Sequence, residues 1–295
     1  MQVLVTGAGG LLGGAIARVA RAVDISVLAT YHTRRPEIAV TCEQLDITET
    51  DQFESLVRAY EPETVINCAA MTDVDGCEEH PEQARAVNGD APGELAQVAA
   101  RHDIGFMQIS TDYVFSGEQE RRYEPDDKTA PKQVYGRSKF RGEETVRAAH
   151  PSPWIVRLSF VYGRTEHNEP AGFPAWVLDR LERAESTPLF TDQYITPTRA
   201  ESAAQTILKL AGKQAGETVH IAARDCITPY EFGMRLAEFT EHPTELLEEG
   251  SMADIDRAAA RPKKTCLSVD RIESILGDEQ PTFEADLRAF VHAIR

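Results

Sequence analysis

The stretch Thr6-Gly7-Ala8-Gly9-Gly10-Leu11-Leu12-Gly13 lies between two contrasting segments. Before it stands the β-branched run Val3-Leu4-Val5, which reads as a strand. After it, Leu12, Ile16, Val19, Ala20 and Val23 recur at helical spacing. A glycine-rich turn joining a strand to a helix brings backbone N–H groups and the positive end of the helix dipole onto an anion. Glycines at 7, 10 and 13 by themselves are weak evidence of a phosphate loop. Gly9 serving only as a turn and Gly13 only as close helix–strand packing is the competing reading. The strand before and the amphipathic helix after are the context that a dinucleotide loop requires.

Working outward, short apolar runs alternate with helix-period stretches. Strands are expected at Ser26 to Tyr31, Val40 to Leu45, Thr64 to Ala69, Ile104 to Ile109 and Trp154 to Leu158. Helices are expected around Phe53 to Tyr60, around Leu95 to Ala99, and from Tyr135 to Ala149. This β-α alternation predicts an α/β fold: a Rossmann-type, doubly wound parallel sheet with both faces covered. After about residue 162 the pattern loosens into a helix near Leu178 to Ala184, an amphipathic helix at Ala200 to Ala211, a late strand at Thr218 to Ala222 and further helices. The expected division is a dinucleotide-binding domain over 1–162, with later returns to the sheet near 190–222. A small, discontinuous C-terminal substrate lobe makes up most of 163–295.

The 295 residues carry 31 Lys plus Arg against 48 Asp plus Glu, a net charge of −17. That balance argues against a nucleic-acid partner or a membrane surface gripped over a broad face. It suits a salt-rich cytoplasm. The five cysteines are odd in number and form no C-x-x-C pair, so a disulfide framework or zinc ribbon is not expected. No signal-peptide pattern precedes the first strand, and no apolar run approaches the roughly 20 residues of a membrane span. The expectation is a soluble, reduced, cytoplasmic protein.

An NAD site usually has an acid about 20 residues after the glycine loop, on the ribose 2′-hydroxyl. Here Thr30-Tyr31-His32-Thr33-Arg34-Arg35 holds no acid and two arginines. Arginine pairs a phosphate bidentately, so Arg34 and Arg35 favour NADPH over NADH as cofactor. The alternative is that both are solvated loop residues. Further on, Tyr135 and Lys139 stand four apart at the start of a helix, on one face. The strand before ends in Ser110-Thr111-Asp112-Tyr113, at the carboxyl edge where parallel sheets bind ligands. A phenol beside an ammonium is a proton donor of lowered pKa, and a threonine hydroxyl can hold a carbonyl oxygen. Thr111, Tyr135 and Lys139 are therefore the candidate catalytic set of a carbonyl reductase.

Thr-Gly-x-x-Gly-x-x-Gly at 6–13 and Tyr-x-x-x-Lys at 135–139 resemble the extended short-chain dehydrogenase/reductases. More narrowly, the chain resembles the dTDP-4-dehydrorhamnose reductases. The segments that carry this are Val65-Ile66-Asn67-Cys68-Ala69-Ala70, Thr72 to Glu78, Val87-Asn88, Ser110 to Phe115, Arg157 to Gly163, Asp192-Gln193 through Pro197-Thr198, and Arg261-Pro262 with Leu267. They run in order over nearly the whole chain. The resemblance implies that Gly7, Gly10, Leu11, Leu12 and Gly13 hold the pyrophosphate and that Asp46 and Ile47 contact adenine. Ala69 and Ala70 would line the dinucleotide path. Tyr135 would protonate the sugar O4, Lys139 would bond the nicotinamide ribose, and Thr111 would polarise the carbonyl. Asp75, Asp112, Tyr113, Phe160 and Arg261 are the candidates for the nucleotide sugar, Arg261 toward its diphosphate, with a surface role for Arg261 as the alternative. The implied reaction is reduction of the C4 keto group of a nucleotide-linked 4-keto-6-deoxyhexose, feeding polysaccharide or glycoprotein assembly. The resemblance is compatible with a homodimer. It yields no recognisable ligand set for a metal.

The chain departs from the family in places. Phe160 stands where a tryptophan is common, which keeps an aromatic face and loses an N–H donor. The segment after Asp192-Gln193 lacks the usual glycine. Related 4,6-dehydratases follow the strand-end Thr-Asp with Glu, whereas Tyr113 follows here, which disfavours water elimination. An epimerase is disfavoured by the lack of an acid at 30–35. Regulatory subunits of methionine adenosyltransferase share this resemblance without catalysis, but such a role does not need Thr111, Tyr135 and Lys139. Asp73, Asp75 and Glu78 read as a polar loop rather than a metal cluster. Phe173 and Trp176 read as lobe packing or as contacts to the nucleotide base.

Overall fold

A computed structural model describes residues 1–213 and 216–295. Its first half runs β1 Gln2–Thr6, α1 Leu11–Ala22, β2 Ser26–Tyr31, β3 Thr41–Gln44, α2 Thr50–Tyr60, β4 Thr64–Asn67, α3 Val74–Glu79, α4 Pro81–Arg85, α5 Ala91–Arg101, β5 Gly105–Thr111, α6 Val134–Ala149 and β6 Trp154–Leu158. It continues with β7 Val161–Arg164, β8 Pro170–Ala171, α7 Phe173–Glu182, β9 Thr187–Phe190, β10 Thr198–Arg199, α8 Ala200–Ala211, β11 Thr218–His220, α9 Pro229–Thr240, β12 Leu247–Gly250, α10 Asp270–Leu276 and α11 Phe283–Ile294.

Seven strands form one parallel sheet in the order β11-β6-β5-β4-β1-β2-β3. From β1 the chain leaves one way through β2 and β3, then the other way through β4, β5 and β6. A crevice opens at the carboxyl ends of the strands where the order reverses. Alternation along β1 sends Val3 and Val5 to a core under α1 and α8, and Leu4 to the opposite core under α2 and α5. A third core, with Tyr162, Val177, Leu181, Phe232, Leu287 and Phe290, belongs to the lobe built from α7, α9 and α11. Helix α9 starts on a capping box, Thr228 with Glu231, and Pro229 is at its first turn.

Two expectations about local chemistry change here. The strand expected over 64–69 ends at Asn67, so residues 68–70 leave the sheet and turn toward the crevice. Cys226 and Cys266 are joined by a disulfide, which corrects the expectation of a fully reduced chain. The pair is 40 residues apart in sequence. Their Cα atoms come within 5.6 Å only because the lobe folds back onto the sheet. Cys42, Cys68 and Cys77 are free. Among the described residues, no helix is long and apolar enough to cross a membrane.

Helix α6 is held by an ion pair inside the protein. Glu143 is fully buried and Arg157, on β6, is 2% exposed. Arg157 donates from Nε to Glu143 Oε1 at 2.8 Å and from Nη2 to Oε2 at 2.7 Å. Ser110, on β5, donates to the same carboxylate at 2.6 Å. Burial acts to raise the Glu143 carboxyl, and Arg157, the Ser110 hydroxyl and Arg147, which donates to Oε2 at 3.0 Å, together hold the group below its usual range. Glu143→Ala strands the Arg157 cation and is expected to cost about 3–5 kcal/mol in chemical denaturation. Glu143→Leu combined with Arg157→Met should recover most of that loss.

Candidate active site

The glycine loop is shaped by close approach. Gly7 has φ +67°, and a Cβ there would lie 2.8 Å from the Ala69 backbone. A Cβ at Gly13 would lie 2.5 Å from the Gly7 carbonyl oxygen. At Gly10, the N-cap of α1, it would meet only that carbonyl, at 3.3 Å. Helix α1 has no side-chain cap and no acid in its first turn, so its first N–H groups are left for an anion. Thr6 Oγ1 donates to Asn67 and accepts from the Ala69 N–H at 3.1 Å, which ties the 68–70 turn beneath the loop.

One cleft of about 980 Å³ runs from this loop to the end of β5. Gly7, Gly10, Leu11, Leu12, Gly13, Arg34, Asp46, Ile47, Ala69 and Ala70 line its first part. Thr111, Asp112, Tyr113, Tyr135, Lys139 and Phe160 line its inner part. Asp46 is pinned by the Thr48 N–H at 3.0 Å and the Thr48 hydroxyl at 2.7 Å, which lower its pKa. Arg34 donates to the Gly9 carbonyl at 2.9 Å and faces Glu166 at 3.4 Å. Arg35, expected beside it, is exposed and does not line the cleft. Its charge acts instead on the Cys42 thiol of β3.

Asp75 and Arg261, expected to meet the substrate separately, are closed on each other. Arg261 donates from Nη2 to Asp75 Oδ2 at 2.7 Å, and the Ala259 N–H donates to Asp75 Oδ1 at 2.9 Å. Neither lines the cleft. The lobe segment before Arg261 folds against α3, so the two opposite charges satisfy each other. Asp73 caps α3, and Glu78 accepts from the Val134 N–H at 2.7 Å, so these acids serve helix ends. Phe173 packs edge-on against Phe160 and Phe232, while Trp176 is 45% exposed with Arg180 over its ring.

At the inner end, Lys139 is 3% exposed and donates from Nζ to the Ile109 carbonyl at 2.7 Å. Burial lowers its pKa to about 8. Tyr135 is raised above its ordinary value by burial, with the Thr111 hydroxyl opposing. The expectation that Lys139 would lower the Tyr135 phenol is not met, because the ammonium is turned to the β5 backbone. Burial pushes Tyr113 up to about 12, and its ring meets Tyr135 edge-on, with centroids 6.0 Å apart. Phe160 takes φ +47°, a left-handed backbone rare for an aromatic residue, and so turns its ring onto the lobe core at the cleft wall.

Sequence reading missed Glu143, Arg157, Ser159 and Thr265, which support this end from behind. The signal for Glu143 was present: it continues the spacing of Tyr135 and Lys139 by four, putting an acid on the buried face of α6. No local pattern marks Ser159 or Thr265.

A glycine-loop cleft that ends on a Thr, Tyr and Lys set defines an extended short-chain dehydrogenase/reductase, an oxidoreductase class. The family described as RmlD substrate binding domain matches residues 1–295. A probable low-salt glycan biosynthesis reductase of Haloferax volcanii is 47% identical, over 98% of this chain and 97% of its own. The dTDP-4-dehydrorhamnose reductase of Mycobacterium tuberculosis is 36% identical, over 90% of this chain and 84% of its own. A dTDP-4-dehydrorhamnose reductase of Bacillus anthracis, solved in complex with NADP, superposes with a TM-score of 0.85 at 26% identity, covering 98% of each chain. The chain belongs to the dTDP-4-dehydrorhamnose reductase family.

The two glycines that differ in crowding separate folding from binding. Gly13→Ala is expected to cost about 1–3 kcal/mol and to abolish dinucleotide binding. Gly10→Ala should melt close to the wild type. Thermal melts with and without added dinucleotide check both.

Proposed function

We propose that the protein is an NADPH-dependent reductase of a nucleotide-linked 4-keto-6-deoxyhexose, and that its substrate is dTDP-4-dehydro-L-rhamnose, reduced to dTDP-L-rhamnose. The observation that carries this is that Thr111, Tyr135 and Lys139 line the same cleft as the glycine loop. The relatives named dTDP-4-dehydrorhamnose reductase support the sugar nucleotide. The relative named for glycan biosynthesis supports the use of the product in glycan assembly.

The residues present fit a dinucleotide phosphate. The N-terminus of α1 is uncapped, and Gly10 has no side chain at the cleft wall. Gly7, Gly10, Leu11, Leu12 and Gly13 would hold the pyrophosphate, Asp46 and Ile47 the adenine, and Ala69 and Ala70 the path between. Residues 30–35, at the end of β2, carry no carboxylate, and Arg34 is the cleft arginine placed to take a 2′-phosphate on exchanging its Gly9 carbonyl and Glu166 contacts. Tyr135 and Lys139 would meet the nicotinamide ribose. Bound there, NADPH supplies the hydride for the carbonyl carbon.

Tyr135 holds the proton for the carbonyl oxygen. Its raised pKa keeps the phenol protonated through neutral pH, the state a donor needs in the reducing direction. Lys139 presents an ammonium behind it below about pH 8. Asp112, Tyr113 and Phe160 shape the sugar end. Phe160 offers an aromatic face and no N–H donor. Tyr113 stands where an eliminating enzyme would need a second acid. Asp75 and Arg261 hold the lobe to α3 and are not assigned to the substrate.

The test follows the absorbance of reduced nicotinamide with dTDP-4-dehydro-L-rhamnose, against NADH and against the UDP- and GDP-linked sugars. Turnover with NADPH and the dTDP sugar is expected. NADPH binding without turnover of that sugar would overturn the substrate. Tyr135→Phe should lose about 10²-fold or more in kcat with little change in NADPH affinity. The lowered pKa of Lys139 also sets a pH limb. The cation is present below about 8 and lost above it, so kcat/KM for NADPH should fall as pH rises through about 8. Lys139→Arg, charged throughout, should remove that limb.

A further inference from the structure

Asp112 is 3% exposed, yet three hydroxyls converge on it. Thr265 donates to Asp112 Oδ2 at 2.5 Å and Ser159 donates to the same oxygen at 2.8 Å. Thr111 donates to Oδ1 at 3.1 Å. The three come from separate parts of the chain: the end of β5, the turn between β6 and β7, and the lobe segment before α10. An ionised carboxylate only accepts, so each hydroxyl turns its proton to it. Thr111 has one proton. With that proton on Asp112, the Thr111 oxygen is left as an acceptor, taking the Tyr113 N–H at 3.1 Å and facing the Tyr135 phenol.

Thr265 is 1% exposed and Ser159 is 1% exposed, and neither lines the cleft. Thr265 is itself held from both sides. Its N–H donates to the Tyr194 carbonyl at 3.0 Å, and the next residue, Cys266, is tied to Cys226 and accepts from the Tyr123 N–H at 2.8 Å. The segment cannot slide without breaking these ties.

We propose that Thr265 is a positioning residue: it is the hydroxyl through which the substrate lobe grips Asp112, and by holding Oδ2 together with Ser159 it keeps Oδ1 on the Thr111 proton and so presents the Thr111 oxygen, as an acceptor, to the Tyr135 phenol that holds the proton for the reacting carbonyl. The inference rests on the reading of Thr111, Tyr135 and Lys139 as the reaction site. Its consequence is that the site is complete only when the lobe segment is seated on the sheet. The titratable groups facing Asp112 are Tyr113 and Tyr135, both kept neutral by burial, with the charges of Arg257 and Arg261 acting on Tyr113 from the lobe.

The test compares Thr265→Val, which keeps the shape and loses the hydroxyl, with Thr265→Ser, which keeps the hydroxyl. The valine variant is expected to lose roughly 10- to 100-fold in kcat, with NADPH affinity unchanged. The serine variant should stay within a few-fold of wild type. A second readout needs no turnover. Carboxyl-carbon NMR of Asp112, whose pKa burial raises to about 6, should show its titration moving upward in the valine variant, because a donor to the charged form is lost, and staying in place in the serine variant. If Thr265→Val does not fold, Thr265→Ala takes its place in both arms. An unmoved Asp112 titration, or a moved titration with wild-type kcat, overturns the proposal. If the wild type reduces no keto sugar, the reaction reading fails by itself, and the NMR arm still decides whether Thr265 sets Asp112.

Discussion

Glu143 lies wholly inside the protein, on the face of α6 that also carries Tyr135 and Lys139. Removing a carboxylate from water costs several kcal/mol, so it is tolerated only where its partners are complete. Arg157 on β6 satisfies it through two nitrogens, Ser110 on β5 adds a third donor, and Arg147 on α6 itself adds a fourth. Ser110 is the neighbour of Thr111. The ion pair therefore fixes the rotation and register of α6 against the strand that ends in Thr111. Lys139, one turn nearer the cleft, adds a second rung through the Ile109 carbonyl. A buried pair of this kind contributes little net stability compared with apolar residues of similar size. What it contributes is a single docking of α6.

The opposite end of the cleft is built by backbone proximity rather than by charge. Gly7 against Ala69 and Gly13 against Gly7 let the loop, β4 and α1 crowd together. That leaves the uncapped N-terminus of α1 as the polar floor. The two ends meet because β1 and β5 flank β4 in one parallel sheet, and all three release their chains at the same edge. The lobe closes the remaining side. It does so through a few long-range ties: Thr265 to Asp112, Arg261 to Asp75, and the Cys226–Cys266 bond. Phe160 accepts an unfavourable backbone conformation at the seam, where its ring joins the lobe core.

Much of this was legible along the chain. The run Val3-Leu4-Val5 followed by glycines at 7, 10 and 13 marks a strand, a turn and a helix by local sterics and periodicity. Tyr135 and Lys139 are four apart on a helix, and Thr111 ends a strand, so their meeting follows from period and topology. Where readings failed, the deciding factor was a distant partner, the direction a side chain faces, or burial. Asp75 and Arg261 looked available because each was judged alone, and they neutralise each other across 186 residues. Arg34 and Arg35 are adjacent and look equivalent, but only one faces the cleft. The lowering of Tyr135 by Lys139 was argued from spacing, whereas burial acts more strongly and in the opposite direction.

The amino-acid sequence by itself determined the alternating sheet, the glycine loop at its first turn, and the three side chains at the carboxyl edge. These depend on short-range rules: φ freedom, residue period and strand polarity. Only the tertiary structure decided which charges are spoken for, where the Thr111 proton points and which cysteines pair. Those properties are set by burial and by contacts between segments 40 to 186 residues apart. Desolvation and hydrogen-bond partnership have no value until the chain has folded, so no local pattern carries them.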